Sequence, residues 1–121
     1  MEDVTAVVDA YFAMWNEPDP ERRAEHVARA FADDGRYVDP ILDAAGHVGI
    51  AEMVASAQAQ FPGHWFERVS RIDHHHDHVR FAWELHTPDG EVAITGLDVA
   101  ELASDGRLRQ VAGFFEELAA A

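Results

Sequence analysis

Cysteine and lysine are both missing from the 121 residues of this chain. Without cysteine the protein has no disulfide, thiolate nucleophile or thiolate metal ligand, which is a composition that fits an intracellular protein. Without lysine it cannot form a Schiff base on a side-chain amine. A general base must therefore be a histidine, aspartate, glutamate or tyrosine.

Positive charge and long apolar runs are also scarce. The chain has 9 arginines against 23 acidic residues, and a formal charge of −14 repels both nucleic acid and anionic membranes, so we expect neither as a partner. No apolar run of about 18 residues indicates a membrane span, and the N-terminus lacks a signal-peptide pattern, so we expect a cytoplasmic protein. The 48% hydrophobic content suffices for the core of a single domain over residues 1–121.

Helical periodicity dominates the first half of the chain. Asp19 and Pro20 form an N-cap and first-turn signal, and Pro62-Gly63 closes a later apolar stripe. A short strand through Tyr37 separates the second helix from the third. The three predicted helices span residues 4–15, 20 to about 33, and 50–61.

The second half changes to strand periodicity. Four predicted strands are joined by tight turns, including those at residues 88–90 and 104–106; they cover residues 64–75, 78–87, 91–102 and 107–116. This order predicts an α+β fold in which helices cover one face of a curved sheet and enclose a pocket. Thr95, Leu97 and Val99 lie on the other face of their strand, so we expect a homodimer that covers them.

Asp98 interrupts an otherwise apolar face formed by alternate residues of one predicted strand. The rest of that face comprises Val92, Ile94, Gly96, Ala100 and Leu102. Because an unpartnered buried carboxylate is unfavourable, Asp98 needs either a partner or a function. A second carboxylate, Asp39, ends a short strand that Pro40 prevents from continuing. Two strand-borne carboxylates in one small domain suggest an acid/base pocket.

Residues 73–78 (DHHHDH) form the most conspicuous polar run. In an extended strand His74, His76 and His78 would share one face, as metal ligands do. The run also spans a predicted turn, and no other ligand is placed to complete a site, so we interpret it as a solvated hairpin end and predict no metal site. No Gly-rich phosphate loop or nucleophile elbow is present, which argues against nucleotide-dependent and serine-hydrolase functions.

Several motifs resemble the nuclear-transport-factor-2-like superfamily, in particular its SnoaL-like and ketosteroid-isomerase-like branches. They are residues 30–40 (AFADDGRYVDP), 46–49 (GHVG), 96–99 (GLDV), 104–108 (SDGRL) and 113–115 (GFF). The resemblance implies a cystatin-like cone in which three N-terminal helices pack on a strongly curved antiparallel or mixed sheet around a pocket. It does not determine the reaction, because this superfamily includes isomerases, cyclases, epoxide hydrolases and non-catalytic modules.

The ketosteroid-isomerase pattern implies a catalytic role for three residues. Asp39 would be the general base, while Tyr11 and a protonated Asp98 would donate hydrogen bonds to an enolate. Phe31 and Ala57 replace tyrosines that often support such a site. The expected pocket aromatics and strand residues are Trp15, Phe31, Phe61, Trp83, Val111, Gly113 and Phe115, with Gly113 leaving room for a ligand. We therefore expect a small hydrophobic carbonyl ligand and no cofactor.

Each of these three residues also has a structural interpretation. Tyr11 is explained equally by a core tyrosine bonded to a backbone carbonyl, and Asp39 by a turn aspartate that caps local amides. Asp98 can pair with Arg80 or His86 on the neighbouring strand. An Asp-Arg-Asp set with Arg80 would instead resemble limonene-epoxide hydrolases. The alternatives to an isomerase or cyclase are thus an epoxide-hydrolase-like enzyme and a non-catalytic binding or dimerisation module.

Overall fold

The computed structural model describes residues 3–116, and within that range it contains three helices and seven strands. Helix α1 spans Val4–Asn16, α2 spans Pro20–Ala30 and α3 spans Gly46–Gln60. Aspartates cap the first two helices: Asp3 accepts from the Thr5 amide at 3.4 Å, and Asp19 from the Arg22 amide at 2.9 Å. These bonds satisfy amides that have no partner within the helix, which explains why both helices begin after an aspartate.

The strands form one mixed sheet. They are β1 (Phe31–Val38), β2 (Asp43–Ala45), β3 (Trp65–Arg68), β4 (Asp73–His75), β5 (His78–His86), β6 (Val92–Leu102) and β7 (Leu108–Phe115). Their order in the described part of the chain is β2-β1-β7-β6-β5-β3, with β4 also paired to β5. Strands β1 and β7 are parallel, and the other neighbouring pairs are antiparallel. The predicted α+β class, with three helices on a curved mixed sheet, is confirmed.

One hydrophobic core joins all three helices to the inner face of the sheet. It includes Val8 of α1, Val27 of α2, Val54 of α3, Phe81 of β5 and Val111 of β7, each buried. The opposite, outer face of the sheet is different, because Val99 and Phe114 remain 40% and 56% exposed there. None of the helices between residues 3 and 116 is long and apolar enough to cross a bilayer.

The end of α2 differs from the prediction. The helix stops at Ala30, and Phe31 already has extended dihedral angles (φ −110°, ψ 141°). Phe31 fits the helical stripe by spacing, but its ring is buried from the first position of β1 instead. The pairing of β1 with β7 then shifts register between Phe31 and Arg36, so the polar Asp33-Asp34 segment lies in an irregular stretch of strand.

The predicted strand over residues 64–75 is in fact two short strands, β3 and β4. Ser70 lies at the interruption. Its hydroxyl oxygen accepts a hydrogen bond from the Ala82 amide of β5 at 2.8 Å, in place of a backbone carbonyl of the neighbouring strand. The two predicted tight turns are present, with Gly90 and Gly106 both at φ 88°. Strand β2 lies in a segment that the sequence indicated as loop.

Candidate active site

Asp98 lies at the middle of β6 on the inner face of the sheet, with only 3% of its surface exposed. The Tyr11 hydroxyl of α1 donates to Asp98 Oδ2 at 2.7 Å, and the Trp83 indole N–H of β5 donates to Oδ1 at 3.1 Å. Both carboxyl oxygens therefore have a partner, which makes the burial of this acid tolerable. The Tyr11 hydroxyl therefore bonds to a carboxyl group, and not to a backbone carbonyl as expected for a tyrosine with only a structural role.

Burial dominates the protonation of this group. It raises the pKa of Asp98 from 3.8 to about 7, against the hydrogen bonds from Tyr11 and Trp83, which lower it. Burial, followed by the proximity of Asp98, also raises the pKa of Tyr11 well above 10.0. Near neutral pH Asp98 thus exists in both protonation states, while Tyr11 keeps its proton.

Asp39 and Tyr37 form a second hydrogen-bonded pair. The Tyr37 hydroxyl donates to Asp39 Oδ2 at 2.7 Å, while the amides of Ile41 and Leu42 donate to Oδ1 at 2.8 and 2.7 Å. Burial, with a further contribution from Asp98, raises the pKa of Tyr37 far above its usual range. Sequence reasoning missed Tyr37 as a site residue, although side chains two apart in extended backbone lie on the same face.

Gly113 of β7 brings the two pairs together. It lies directly opposite Asp98 in the sheet. A Cβ atom on Gly113 would be 3.0 Å from Asp98 Oδ1, 3.0 Å from the Tyr37 hydroxyl and 3.2 Å from Asp39 Cβ. The space left by the missing side chain is therefore surrounded by the polar atoms of both pairs, which are close neighbours.

A cavity of about 130 Å³ opens beside these four polar side chains. Seven of the predicted site residues line it: Tyr11, Trp15, Asp39, Phe61, Trp83, Asp98 and Phe115. Phe31 and Val111 do not line it and belong to the core, where both are fully buried. Gly113 does not line it either, although a Cβ atom there would contact Asp98 and Tyr37. Ala57, which the resemblance indicated as a replaced supporting tyrosine, also lines the cavity. The lining residues that sequence reasoning did not include are Phe12, Tyr37, Ile41, Leu42, Gln58, Gln60, His64, Phe66, Leu85 and Ile94.

The structural alternative, in which Asp98 pairs with Arg80 or His86, is wrong. Arg80 lies opposite Val99 on the outer face, is largely exposed, and binds Asp73 at 3.0 Å. His86 contacts glutamates on the outer face. The Asp-Arg-Asp arrangement of an epoxide hydrolase is therefore not formed with Arg80.

The histidine run forms an exposed hairpin end. It joins β4 to β5, with His75 paired to His78 and a left-handed residue, His76 (φ 54°), in the turn. A different set of metal-ligand side chains, Glu67, Glu84 and His86, has its ligand atoms within 4.8 Å of one another. It lies outside the cavity, and sequence reasoning did not identify it.

Comparison with known proteins identifies the domain type. Residues 8–111 match the family model of the SnoaL-like domain. No curated protein sequence matches the chain significantly. The match covers most of the chain, including both hydrogen-bonded pairs.

Solved structures provide a second comparison. One is a SnoaL-like family protein from Agrobacterium tumefaciens strain C58 for which an isomerase activity has been proposed; it is 40% identical, with 93% of this chain and 97% of that chain covered and a TM-score of 0.89. A proposed polyketide cyclase from Sinorhizobium meliloti is 18% identical, with 88% and 92% covered and a TM-score of 0.69. A protein with a cystatin-like fold from Methylobium petroleophilum PM1 is 17% identical, with 95% and 76% covered and a TM-score of 0.75. The last two similarities concern the fold alone.

Proposed function

Because the chain belongs to the SnoaL-like family, we propose that it is a cofactor-independent acid/base enzyme of the isomerase or cyclase type. Its substrate is a small hydrophobic carbonyl compound. The observation that carries this proposal is the buried Tyr11–Asp98 pair, which lies in an apolar cavity beside a second carboxylate, Asp39. The proposed isomerase activity of the 40% identical Agrobacterium protein supports the same reaction class.

The two carboxyl groups have different tasks in this proposal. Asp39 removes a proton from the carbon next to the substrate carbonyl, and the electron pair of that C–H bond moves to the carbonyl oxygen to form an enolate. In an isomerisation Asp39 returns the proton to another carbon of the same molecule. In a cyclisation the enolate carbon attacks a second carbonyl carbon, whose oxygen then takes up the proton.

Tyr11 and Asp98 stabilise the enolate oxygen. With its pKa near 7, Asp98 is protonated in part of the molecules at neutrality and in most of them at lower pH, and the protonated form can donate a hydrogen bond. When Asp98 donates to the Tyr11 oxygen, the Tyr11 hydroxyl is free to donate into the cavity. Such donors act strongly in a buried site, because little water competes with them.

The size and lining of the cavity limit the substrate. A cavity of about 150 Å³ in another protein holds a benzene molecule, so the 130 Å³ here suits a ring-sized molecule. Aromatic and aliphatic side chains supply most of the lining, which favours an apolar ligand with one carbonyl group. Ile41, Gln60 and Phe61 are exposed lining residues and mark the opening, through which a longer molecule extends.

Asp39→Asn separates catalysis from binding. A panel of small cyclic ketones and enones is incubated with the protein, product is measured by chromatography, and binding is measured by the fluorescence of Trp15 and Trp83. We expect Asp39→Asn to bind the substrate but not convert it, because an amide cannot accept the proton. Asp34→Asn, which alters an exposed carboxylate of β1, the strand that precedes Asp39, is the matched control and should keep wild-type turnover. Equal turnover by Asp39→Asn and wild type would rule out Asp39 as the base.

A non-catalytic binding module is the alternative function. Its specific support is that two backbone amides donate to Asp39 Oδ1, as in a turn aspartate that only shapes the loop before Leu42. This alternative predicts that ligands quench the tryptophan fluorescence while no compound of the panel is converted by wild-type protein.

A further inference from the structure

A separate group of ionisable side chains lies on the outer face of the sheet. Trp83 and Leu85 of β5 line the cavity, so the alternating Glu84 and His86 point the other way. Across the ladder, Glu67 of β3 is directly opposite Glu84. Two like charges at directly opposed positions are destabilising unless a positive group lies between them.

His86 has an unsatisfied nitrogen that faces both glutamates. Its Nε2 atom is 3.2 Å from Glu67 Oε2 and 3.2 Å from Glu84 Oε1. Neither contact has hydrogen-bond geometry, and this buried nitrogen has no hydrogen-bond partner anywhere in residues 3–116. The residue is only 8% exposed.

We propose that Glu67, Glu84 and His86 bind a divalent transition-metal ion such as Zn²⁺. Bonds of about 2.0–2.2 Å from one ion to nitrogen and oxygen ligands place adjacent ligand atoms roughly 3.0–3.5 Å apart. The two 3.2 Å separations fall in this interval, and all three ligand atoms lie within 4.8 Å of one another. The two carboxylates balance the double charge of the ion, and the imidazole favours Zn²⁺ over Mg²⁺ or Ca²⁺.

The surroundings of His86 fit the same site. The Nδ1 atom faces the Gly90 carbonyl oxygen at 3.5 Å, and such an N–H to carbonyl contact commonly orients a metal-bound histidine. Trp65 stacks on the ring, with centroids 4.2 Å apart and planes within 10°. β3 is an edge strand of the described sheet, so an ion bound by Glu67 of β3 and by Glu84 and His86 of β5 would cross-link the two strands. The cross-link would also restrict the motion of Phe66, which lines the cavity from β3.

Zn²⁺ binding by the exposed hairpin histidines must be separated from binding at Glu67, Glu84 and His86. His74, His75, His76 and His78 can bind Zn²⁺ weakly by themselves. The reference protein is therefore a variant in which all four are replaced by glutamine. Glu67→Gln is then made in this reference, because the Glu67 side chain is 53% exposed and its replacement leaves the core intact. Glu52→Gln, an exposed glutamate of α3, is the matched control.

Calorimetric titration with Zn²⁺ alone, together with thermal unfolding, measures the site. We expect the reference and the Glu52→Gln variant to bind one Zn²⁺ per chain, to unfold at higher temperature with the ion, and to show Zn²⁺-dependent shifts of the His86 ring protons in NMR spectra. Glu67→Gln should weaken binding by about tenfold or more and remove most of the thermal shift. No Zn²⁺ binding by the reference, or unchanged binding after Glu67→Gln, would overturn the proposal. Equal affinity for Zn²⁺ and Mg²⁺ would also overturn it, because His86 would then not be a ligand.

Discussion

The protonation of Asp98 makes the stability of this fold depend on pH. In the unfolded chain this carboxyl group ionises near 3.8, whereas in the folded protein its pKa is about 7. Between these values the folded state binds more protons than the unfolded state, so the free energy of unfolding falls as the pH rises. The stabilising contribution is complete below about pH 3.8 and lost by the time the pH has passed 7.

The magnitude follows from the width of this window. Each pKa unit corresponds to about 1.4 kcal/mol, so a change from 3.8 to about 7 corresponds to about 4 kcal/mol. The aspartates Asp43, Asp73 and Asp105 have lowered pKa values, so they stabilise the fold above pH 3.8 and lose this contribution only as the pH falls below it. Tyr11 and Tyr37 titrate above 10. These five groups therefore do not act inside the window of Asp98.

Urea unfolding of wild type and Asp98→Asn between pH 4 and 8 tests this reasoning. The asparagine stays neutral, so the variant should lose the decline attributed to Asp98 and gain about 4 kcal/mol relative to wild type across the window. Asp34→Asn should keep the wild-type decline. Parallel pH profiles for wild type and Asp98→Asn would refute the raised pKa.

Three further predictions concern single positions. A Cβ atom at Gly96 would overlap the Trp83 ring, so Gly96→Ala should displace the indole from Asp98. We expect this variant to lose about 1–3 kcal/mol of unfolding free energy and to show altered tryptophan fluorescence. Unchanged stability and fluorescence would contradict this prediction. At Gly113 the closest contacts are 3.0 Å, so Gly113→Ala should fold but shift the carboxyl NMR titration of Asp98, and an unaltered titration would be the contrary result. We also propose that the outer sheet face forms a homodimer; Phe114→Glu should then sediment as a monomer where wild type sediments as a dimer, and a monomeric wild type would end this proposal.

Strand periodicity predicted the buried position of Asp98, because alternate residues of an extended segment share a face. It did not predict the hydroxyl that satisfies it, since Tyr11 lies 87 residues away and enters through helix packing. The family resemblance implied that Tyr11 and Asp98 belong to one site, but not that they bond to each other. The indole bond of Trp83 depends on Gly96 lying opposite it, which is a matter of strand register.

Register also explains what sequence reasoning missed on the outer face. Glu67, Glu84 and His86 come together only because β3 pairs with β5 in one particular register. The sequence predicted one continuous strand over residues 64–75, and this prediction does not specify which residue of β3 pairs with which residue of β5. The histidine run attracted attention as a metal site because its residues are adjacent in sequence, whereas ligands from two strands leave no local signature.

Proton exchange at the substrate carbon tests the central claim most directly. A small ketone that binds in the cavity is dissolved in D₂O with the protein, and the loss of its proton next to the carbonyl is followed by NMR. The proposed chemistry predicts exchange faster than in buffer, a decrease of about 10²–10⁴-fold in Asp39→Asn, and no decrease in Asp34→Asn. A ketone that binds but exchanges no faster than in buffer, or equally with wild type and Asp39→Asn, would contradict it.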